Sequence, residues 1–378
     1  MITKLSLLAL LGLASCPHLG PRSIKLLEKH FSNLHDVFTA KKPELLQAEL
    51  GPDIVNKFCA WRLNFSEQTL LSTLEKEQIS FISWHDPNYP SLLKEISDPP
   101  PIIFYRGDVN NNLLNQEKQF LAVIGARQCT TYADKVIKNI LPPTLIKQTV
   151  IVSGLAAGVD QLAHQQALSG GAKTVAVLGS GLSWKQCYPR SNRQLAEEII
   201  KSGGCLLSEF PPNTPPNKIN FPRRNRLISG LSHAVLVIEA AVKSGSLITA
   251  RLALEQGRDV LAIPGNIFWE KSVGTNQLIQ AGAKPIMTAD DLAESLKLEV
   301  EIKRREVPIN KPTELDLLSP SAKLIYFLIV GRYQCGEKIN LEKIAVASKL
   351  DTSTINSTLT ILEIKGLIKD VAGNFEPC

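Results

Sequence analysis

The chain has 378 residues, 44% of them hydrophobic and 21% charged, and its 42 Lys+Arg against 36 Asp+Glu leave a formal charge of +6. At roughly 150 residues per domain this is the make-up of a folded protein of two or three domains, with core enough to fold without staples. The charge permits a polyanionic partner without requiring one. Seven cysteines, Cys16, Cys59, Cys129, Cys187, Cys205, Cys335 and Cys378, are odd in number and form no C-x-x-C. They point to a reducing compartment and away from a zinc site or a disulfide frame.

Residues 1–65 predict a small all-helical domain. Lys4, the apolar run Leu5 to Leu13 and Ala14-Ser15-Cys16 have the outline of a secretory signal with a lipid-accepting cysteine. One lysine is a thin charged region, however, and the pattern runs on through Pro17-His-Leu-Gly-Pro21 into a second segment with Ile24, Leu27 and Phe31 on one side, which fits a helical hairpin better. Such a hairpin either grips a nucleic-acid backbone or merely uses Gly20 for a tight turn. No other apolar run approaches the ~20 residues needed to span a bilayer, so a cytoplasmic protein without a membrane partner is expected. Between Glu67 and Asp108, Ile79 to Trp84 and Ile102 to Tyr105 predict strands that pack onto the next domain.

From Lys118 to about Leu296 one unit repeats: apolar strand, glycine-containing turn, helix. Phe120–Ile124 leads to Gly125-Ala-Arg127, Val150–Val152 to Ser153-Gly154, and Thr174–Leu178 to Gly179-Ser180-Gly181. Cys205–Leu207 leads to Ser208-Glu209, Ala234–Glu239 to Ser244-Gly245-Ser246, and Asp259–Ile263 to Pro264-Gly265-Asn266. This alternation predicts an α/β domain over 66–298 with a doubly wound, parallel, Rossmann-like sheet. Its glycine turns would gather on the carboxyl edge, where helix N-termini offer N–H groups to phosphates. The charged run 299–314, with Pro308 and Pro312, predicts a linker. Residues 315–378 then show three helical segments and a two-strand hairpin, a winged-helix-like pattern. Seven basic and six acidic side chains between Ser319 and Cys378 make duplex binding by this module a weak expectation and protein contact at least as good a one.

Gly179-Ser-Gly181 begins like a dinucleotide fingerprint, but Trp184 stands where a third glycine or alanine is required. No G-x-x-x-x-G-K-[ST] occurs, so neither a dinucleotide cofactor nor a hydrolysed nucleoside triphosphate is indicated. Asp160 and His164, four apart on one helix face, offer either a ligand or acid–base pair or, as is more common, a hydrogen bond on a helix surface, which is the expectation. Glu209 and Glu239 follow strands without a histidine or second carboxylate, so capping and loop tethering are expected of them, and no catalytic constellation is found. Arg223-Arg224-Asn225-Arg226 predicts a basic loop restrained by Phe221-Pro222 beside the glycine edge, where Arg127 arrives from another turn. Arginine makes bidentate contacts to phosphate. Phe221 and Tyr188 are candidates to stack on unpaired bases, at about 1–3 kcal/mol per base; Trp184 is expected in the core.

Ser153-Gly-Leu-Ala-Ala-Gly-Val-Asp160, Gly179-Ser-Gly181 with Tyr188-Pro189 and Asn192, Ser208-Glu-Phe-Pro211, Phe221 to Ser232, Glu239-Ala240, Ser244 to Ala250 and Gly257 to Gly265 together resemble the DNA-processing protein A family, also called Smf, over roughly residues 79–290. Ala133 replaces the family's usual glycine, and Pro142-Pro143 interrupts the helix that follows. The resemblance implies a non-catalytic protein of natural transformation that binds and protects incoming single-stranded DNA and loads RecA onto it. It also implies a homodimer, with single-strand binding protein a further candidate partner. The expected DNA-binding set is Gly125, Arg127, Gly154, Gly179, Ser180, Gly181, Phe221, Arg223, Arg224, Asn225, Arg226, Ser244, Gly245, Ser246 and Thr249. The alternative is a phosphoribohydrolase-like nucleotide-binding enzyme. That group carries Pro-Gly-Gly-x-Gly-Thr and a catalytic glutamate, whereas this chain has Pro264-Gly265-Asn266 and, well separated, Gly274-Thr275.

Overall fold

The computed structural model describes residues 4–107, 113–115, 118–299, 318–334, 339–371 and 373–377. Two compact units emerge, Met1–Ile302 and Lys303–Cys378. Apart from Glu299, the expected linker lies outside the described residues.

The first unit is built on a nine-stranded sheet. Its strands are β1 (Ser80–Ser83), β2 (Ile102–Gly107), β3 (Gln119–Ile124), β4 (Thr149–Ser153), β5 (Thr174–Val177), β6 (Cys205–Ser208), β7 (Ala234–Val237), β8 (Asp259–Ala262) and β9 (Lys284–Pro285). They lie in the order β1-β2-β6-β5-β4-β3-β7-β8-β9. The six strands expected from the repeating pattern, β3 to β8, are parallel throughout. All carry continuous apolar runs because both faces are covered. Alternation assigns the faces: Phe120, Ala122 and Ile124 enter one apolar cluster, Leu121 and Val123 the other.

The segment before β3 does more than pack onto this sheet. β1 and β2 extend it as antiparallel strands, β2 pairing with β6 from Phe104–Ser208 to Gly107–Cys205. The N-terminal helices Lys4–Ala14 and Pro21–His30 form the expected hairpin. Leu10, Leu11 and Leu13 of the apolar run are fully buried, in the same cluster as Phe120 and Val175. The helix broken at Pro142-Pro143 appears as two pieces, Thr131–Ile140 and Pro143–Ile146.

Strand order reverses direction at β3. From there the chain proceeds outward through β4, β5 and β6, then returns to place β7 on β3's other side. The crevice above β3, β4 and β7 is therefore the topological switch point, the place where open α/β sheets hold ligands.

The second unit has helices Pro320–Gln334, Leu341–Ser348 and Thr352–Ile364 with a small antiparallel sheet of β10 (Ile339–Asn340), β12 (Asn374–Pro377) and β11 (Ile368–Val371), in that order. Asp351 caps the third helix by accepting from the Thr354 N–H at 2.9 Å. Ile325, Ile344, Ile355, Leu362 and Ile368 form its core.

Candidate nucleic-acid interface

A cleft of about 500 Å³ opens at the switch point. Ile124, Gly125 and Arg127 reach it from the end of β3, Ala156 and Asp160 from the loop after β4 and the start of its helix Val159–Ser169, and Ser244, Gly245, Ser246, Ile248 and Thr249 from the start of the helix after β7. Phe221, Arg224 and Asn225 enter from the run expected to be a loop. That run is instead a helix, Asn220–Gly230, with Pro222 in its first turn, where the missing N–H costs nothing.

Helical geometry separates the arginines. Arg224 points inward and is 4% exposed. Its Nη1 donates to the Gly154 carbonyl at 2.8 Å and to the Val177 carbonyl, joining the ends of β4 and β5. Burial lowers its pKa to about 10, against the opposing attraction of Asp160, so it stays charged at neutral pH. Asp160 in turn accepts from the Gly154 and Ala156 N–H groups at 3.1 and 3.4 Å, and burial raises its carboxyl pKa against the pull of Arg224. A Cβ on Gly154 would stand 2.6 Å from Arg224 Nη1 and 2.7 Å from Asp160 Oδ2, so only glycine admits the two partners together.

The expected Asp160–His164 surface bond is not present. Both side chains are buried, and His164 Nδ1 lies 2.7 Å from the Thr174 hydroxyl. Desolvation pushes its pKa down to about 3, so the ring is neutral.

Arg127 is an exposed cation of the cleft. Its guanidinium carbon lies 5.2 Å from the Phe221 ring centroid, and Phe221 faces Tyr188 at 5.8 Å between centroids. The loop that carries Arg127 is held from two sides. Val159 N–H donates to the Ala126 carbonyl at 3.1 Å, while Glu239 accepts from the Thr130 N–H and hydroxyl, the tethering role expected of it. Gly158, at φ +82°, allows the first contact; a Cβ there would lie 2.3 Å from the Ala126 carbonyl oxygen. Across the cleft Ser244 caps the helix Gly245–Glu255 by accepting from the Ser246 N–H, and Asn225 donates to the Gly245 carbonyl at 3.5 Å. Gly245 has open space around it, so the helix N-terminus is free to meet an anion.

Six of the expected residues do not line this cleft. Gly154 lies beneath it as the Arg224 acceptor. Arg226, two positions from Arg224 and so on the other side of the helix, is 7% exposed and pairs with Asp98 at 2.9 Å and with Glu209. Arg223 is exposed, rests over Phe210 at 5.5 Å, and borders a separate cavity beside the hairpin turn Cys16–Pro21. The Gly179-Ser180-Gly181 turn is roofed by its own chain. Phe221 covers Gly179, the carbonyls of Pro211 and Pro212 close over Gly181, and Ser180, 2% exposed, donates to the Gln186 carbonyl at 2.9 Å. Trp184 is half-buried between Arg106 and Arg193, with guanidinium carbons 4.6 and 5.3 Å from its ring.

Two charged members of the cleft are absent from the expected set. Lys218, an exposed side chain three residues ahead of Phe221, had only its proximity to the arginine run to mark it. Asp160 was noticed for its spacing to His164, not as the counter-ion of Arg224. With both included, Arg127, Lys218 and Arg224 face one carboxylate. Among the described residues no three His, Cys, Asp or Glu side chains gather to hold a metal ion, and no helix is long and apolar enough to cross a membrane.

Comparison with known proteins bears on this arrangement. A family model described as DNA recombination-mediator protein A matches residues 80–297. The chain is 37% identical to Protein Smf of Synechocystis sp. over 278 residues, 73% of this chain and 69% of that protein. It is 42% identical to the DNA processing protein DprA of Bacillus subtilis over 227 residues, 60% and 74% of the two chains. Among solved structures, DNA processing protein A from Streptococcus pneumoniae superposes with a TM-score of 0.63 at 34% identity, covering 78% of this chain and 98% of that one. The Helicobacter pylori protein, whose structure concerns its single-stranded DNA binding mode, gives 0.51 at 32% identity, covering 58% and 96%. By a match over more than half its length and by these relatives, the chain belongs to the DNA recombination-mediator protein A family.

Proposed function

We propose that this chain binds single-stranded DNA in the switch-point cleft, shields it from nucleases and loads the recombinase RecA onto it during natural transformation. In this reading it works in the cytoplasm as a homodimer without chemistry of its own, with single-strand binding protein a further partner. The observation that carries the reading is the convergence of Arg127, Lys218 and the open Gly245 helix end on a cleft floored by Phe221 and Tyr188. Cations and amides hold phosphates whatever the sequence, and exposed rings accept the unpaired bases that a duplex would hide. Of the expected residues, Gly125, Arg127, Phe221, Asn225, Ser244, Gly245, Ser246 and Thr249 would meet the strand. Arg224 and Gly154 would hold the cleft in shape.

A non-catalytic role is favoured by the cleft's single carboxylate. Asp160 already accepts two N–H groups and faces Arg224, which leaves it poorly placed to move a proton. The Lys303–Cys378 unit serves in this reading as a winged-helix-like module for protein contact.

Gel-shift titration with single- and double-stranded oligonucleotides tests the proposal. Tighter single-strand binding is expected, and Arg127→Ala should lower the salt slope by about 0.7, roughly a fourfold loss of affinity at physiological salt. An unchanged slope would remove Arg127 from the contact. A RecA-loading assay on DNA coated with single-strand binding protein separates mediator from mere binder, since a binder alone leaves RecA filament formation unstimulated.

A further inference from the structure

The opposite edge of the same sheet carries a regular feature of its own. Four neighbouring parallel strands each have a lysine within four residues ahead of them. Lys118 precedes β3 directly, Lys147 lies two residues before β4, Lys173 directly precedes β5, and Lys201 ends the helix Arg193–Lys201 before β6. Because β3, β4, β5 and β6 are consecutive neighbours, the lysines fall in a row along the amino edge. Register keeps them nearly level: Gln119 pairs with Thr149, and Ile151 with Thr174. At about 4.8 Å between strands the row spans roughly 15 Å.

Each of the first three side chains leans toward the next turn. Lys118 Nζ donates to the Lys147 carbonyl at 2.9 Å, and the Lys147 and Lys173 Cε atoms lie 3.7 and 3.8 Å from where a Cβ would stand on Gly171 and Gly203. Both glycines sit at positive φ, +71° and +80°, and the stems rest against their turns at van der Waals distance. Among the described residues none of the four lysines has a carboxylate within 4 Å, although arginines and lysines elsewhere in the unit do, as at Lys57–Asp53 and Arg226–Glu209. Glu299 approaches only through its carbonyl, which accepts from Gln148 Nε2 at 3.4 Å. Among the described residues of these four connections there is no exposed large apolar side chain.

We propose that this lysine row is a second, sequence-independent contact for the phosphodiester backbone of a single strand that extends beyond the cleft. The proposal rests on the cleft binding single-stranded DNA. A line of ammonium groups that, among the described residues, has neither a carboxylate partner nor an apolar anchor suits a polyanion read by charge alone; a docked protein needs a desolvated apolar centre. The cleft fixes one part of the strand and the row tracks another.

The test is the double substitution Lys147→Glu/Lys173→Glu, with Lys147→Ala/Lys173→Ala used should the first lower the melting temperature. Binding is measured against salt for two oligothymidylates, one only long enough to fill the cleft and one several times longer. The short oligonucleotide should bind as before, while the long one should lose roughly tenfold in affinity at physiological salt and about 1.4 from its slope, at 0.7 per phosphate. Wild-type binding of the short oligonucleotide together with an unaltered slope for the long one overturns the row and leaves the cleft standing. Failure of the wild-type protein to bind either one removes both. Loss of polyglutamate binding with oligonucleotide binding intact makes the row a protein-docking surface and also overturns the proposal.

Discussion

The two halves of the carboxyl edge are built from the same strand-glycine-helix unit, yet one is open and the other sealed. Above β3 and β7 the connections run to opposite sides, so Gly125, Arg127 and Gly245 border empty space. Above β5 and β6 the chain from Ser208 to Lys218 doubles back, and Pro211 and Pro212 close over Gly181. The turn motif is thus only a permission to bind. Whether it is used depends on what the neighbouring connection does with the space.

Charge follows the same division. On the sealed side Arg226 is spent on Asp98 and Glu209, in an ionic cluster that also holds the buried Tyr89, whose hydroxyl donates to the Pro100 carbonyl at 2.8 Å. Among the described residues Glu209 keeps one oxygen, and Arg226 one nitrogen, without a partner, and burial raises the Glu209 pKa against the pull of Arg226. On the open side the Arg127 guanidinium lies over the Phe221 face, with no ion pair among the described residues.

Substitution can break this contrast. Arg226→Ala should have the largest effect, a loss of roughly 3–5 kcal/mol of stability from stranding Glu209, with an unchanged salt slope for single-strand binding; denaturant titration paired with the gel shift decides it, and a changed slope would return Arg226 to the interface. Gly158→Ala, which forces a Cβ against the Ala126 carbonyl at a positive φ, should cost about 2–3 kcal/mol and weaken DNA binding as well, because the Arg127 loop must shift. Stability lost without affinity would show that the loop's position does not matter. Ser180→Ala should be smallest, about 1 kcal/mol for its hydrogen bond to the Gln186 carbonyl, with no change in oligonucleotide affinity. A clear affinity loss there would mean that the sealed turn opens to DNA.

The repeating unit was legible because strands buried on both faces must be apolar throughout, and six of them announced themselves in that way. Lys284–Pro285 and Ile339–Asn340 are too short to carry a pattern. β1 and β2 were visible as strands, but the antiparallel pairing of β2 to β6 depends on contacts about a hundred residues apart. The arginines were misplaced for a more specific reason: Pro222 suggested a loop, and in a loop Arg224 and Arg226 share a surface. Once the segment is a helix, a spacing of two puts them on opposite sides, and because the helix is enclosed all round from Arg226 onward both arginines are buried, each against different partners. Cleft residues from three connections were foreseeable as a set from the switch point alone; the closure over Gly181 was not, since nothing local encodes it.

Arg224 fastens two strand ends through their carbonyl oxygens, groups that every amino acid supplies. Val177 is therefore free to drift to any residue that its strand will accept without loosening the clasp, whereas position 154, where a single methyl would collide with the guanidinium, has no such freedom. A comparison of many relatives should find the first site variable and the second fixed, with the arginine itself as invariant as the glycine beneath it.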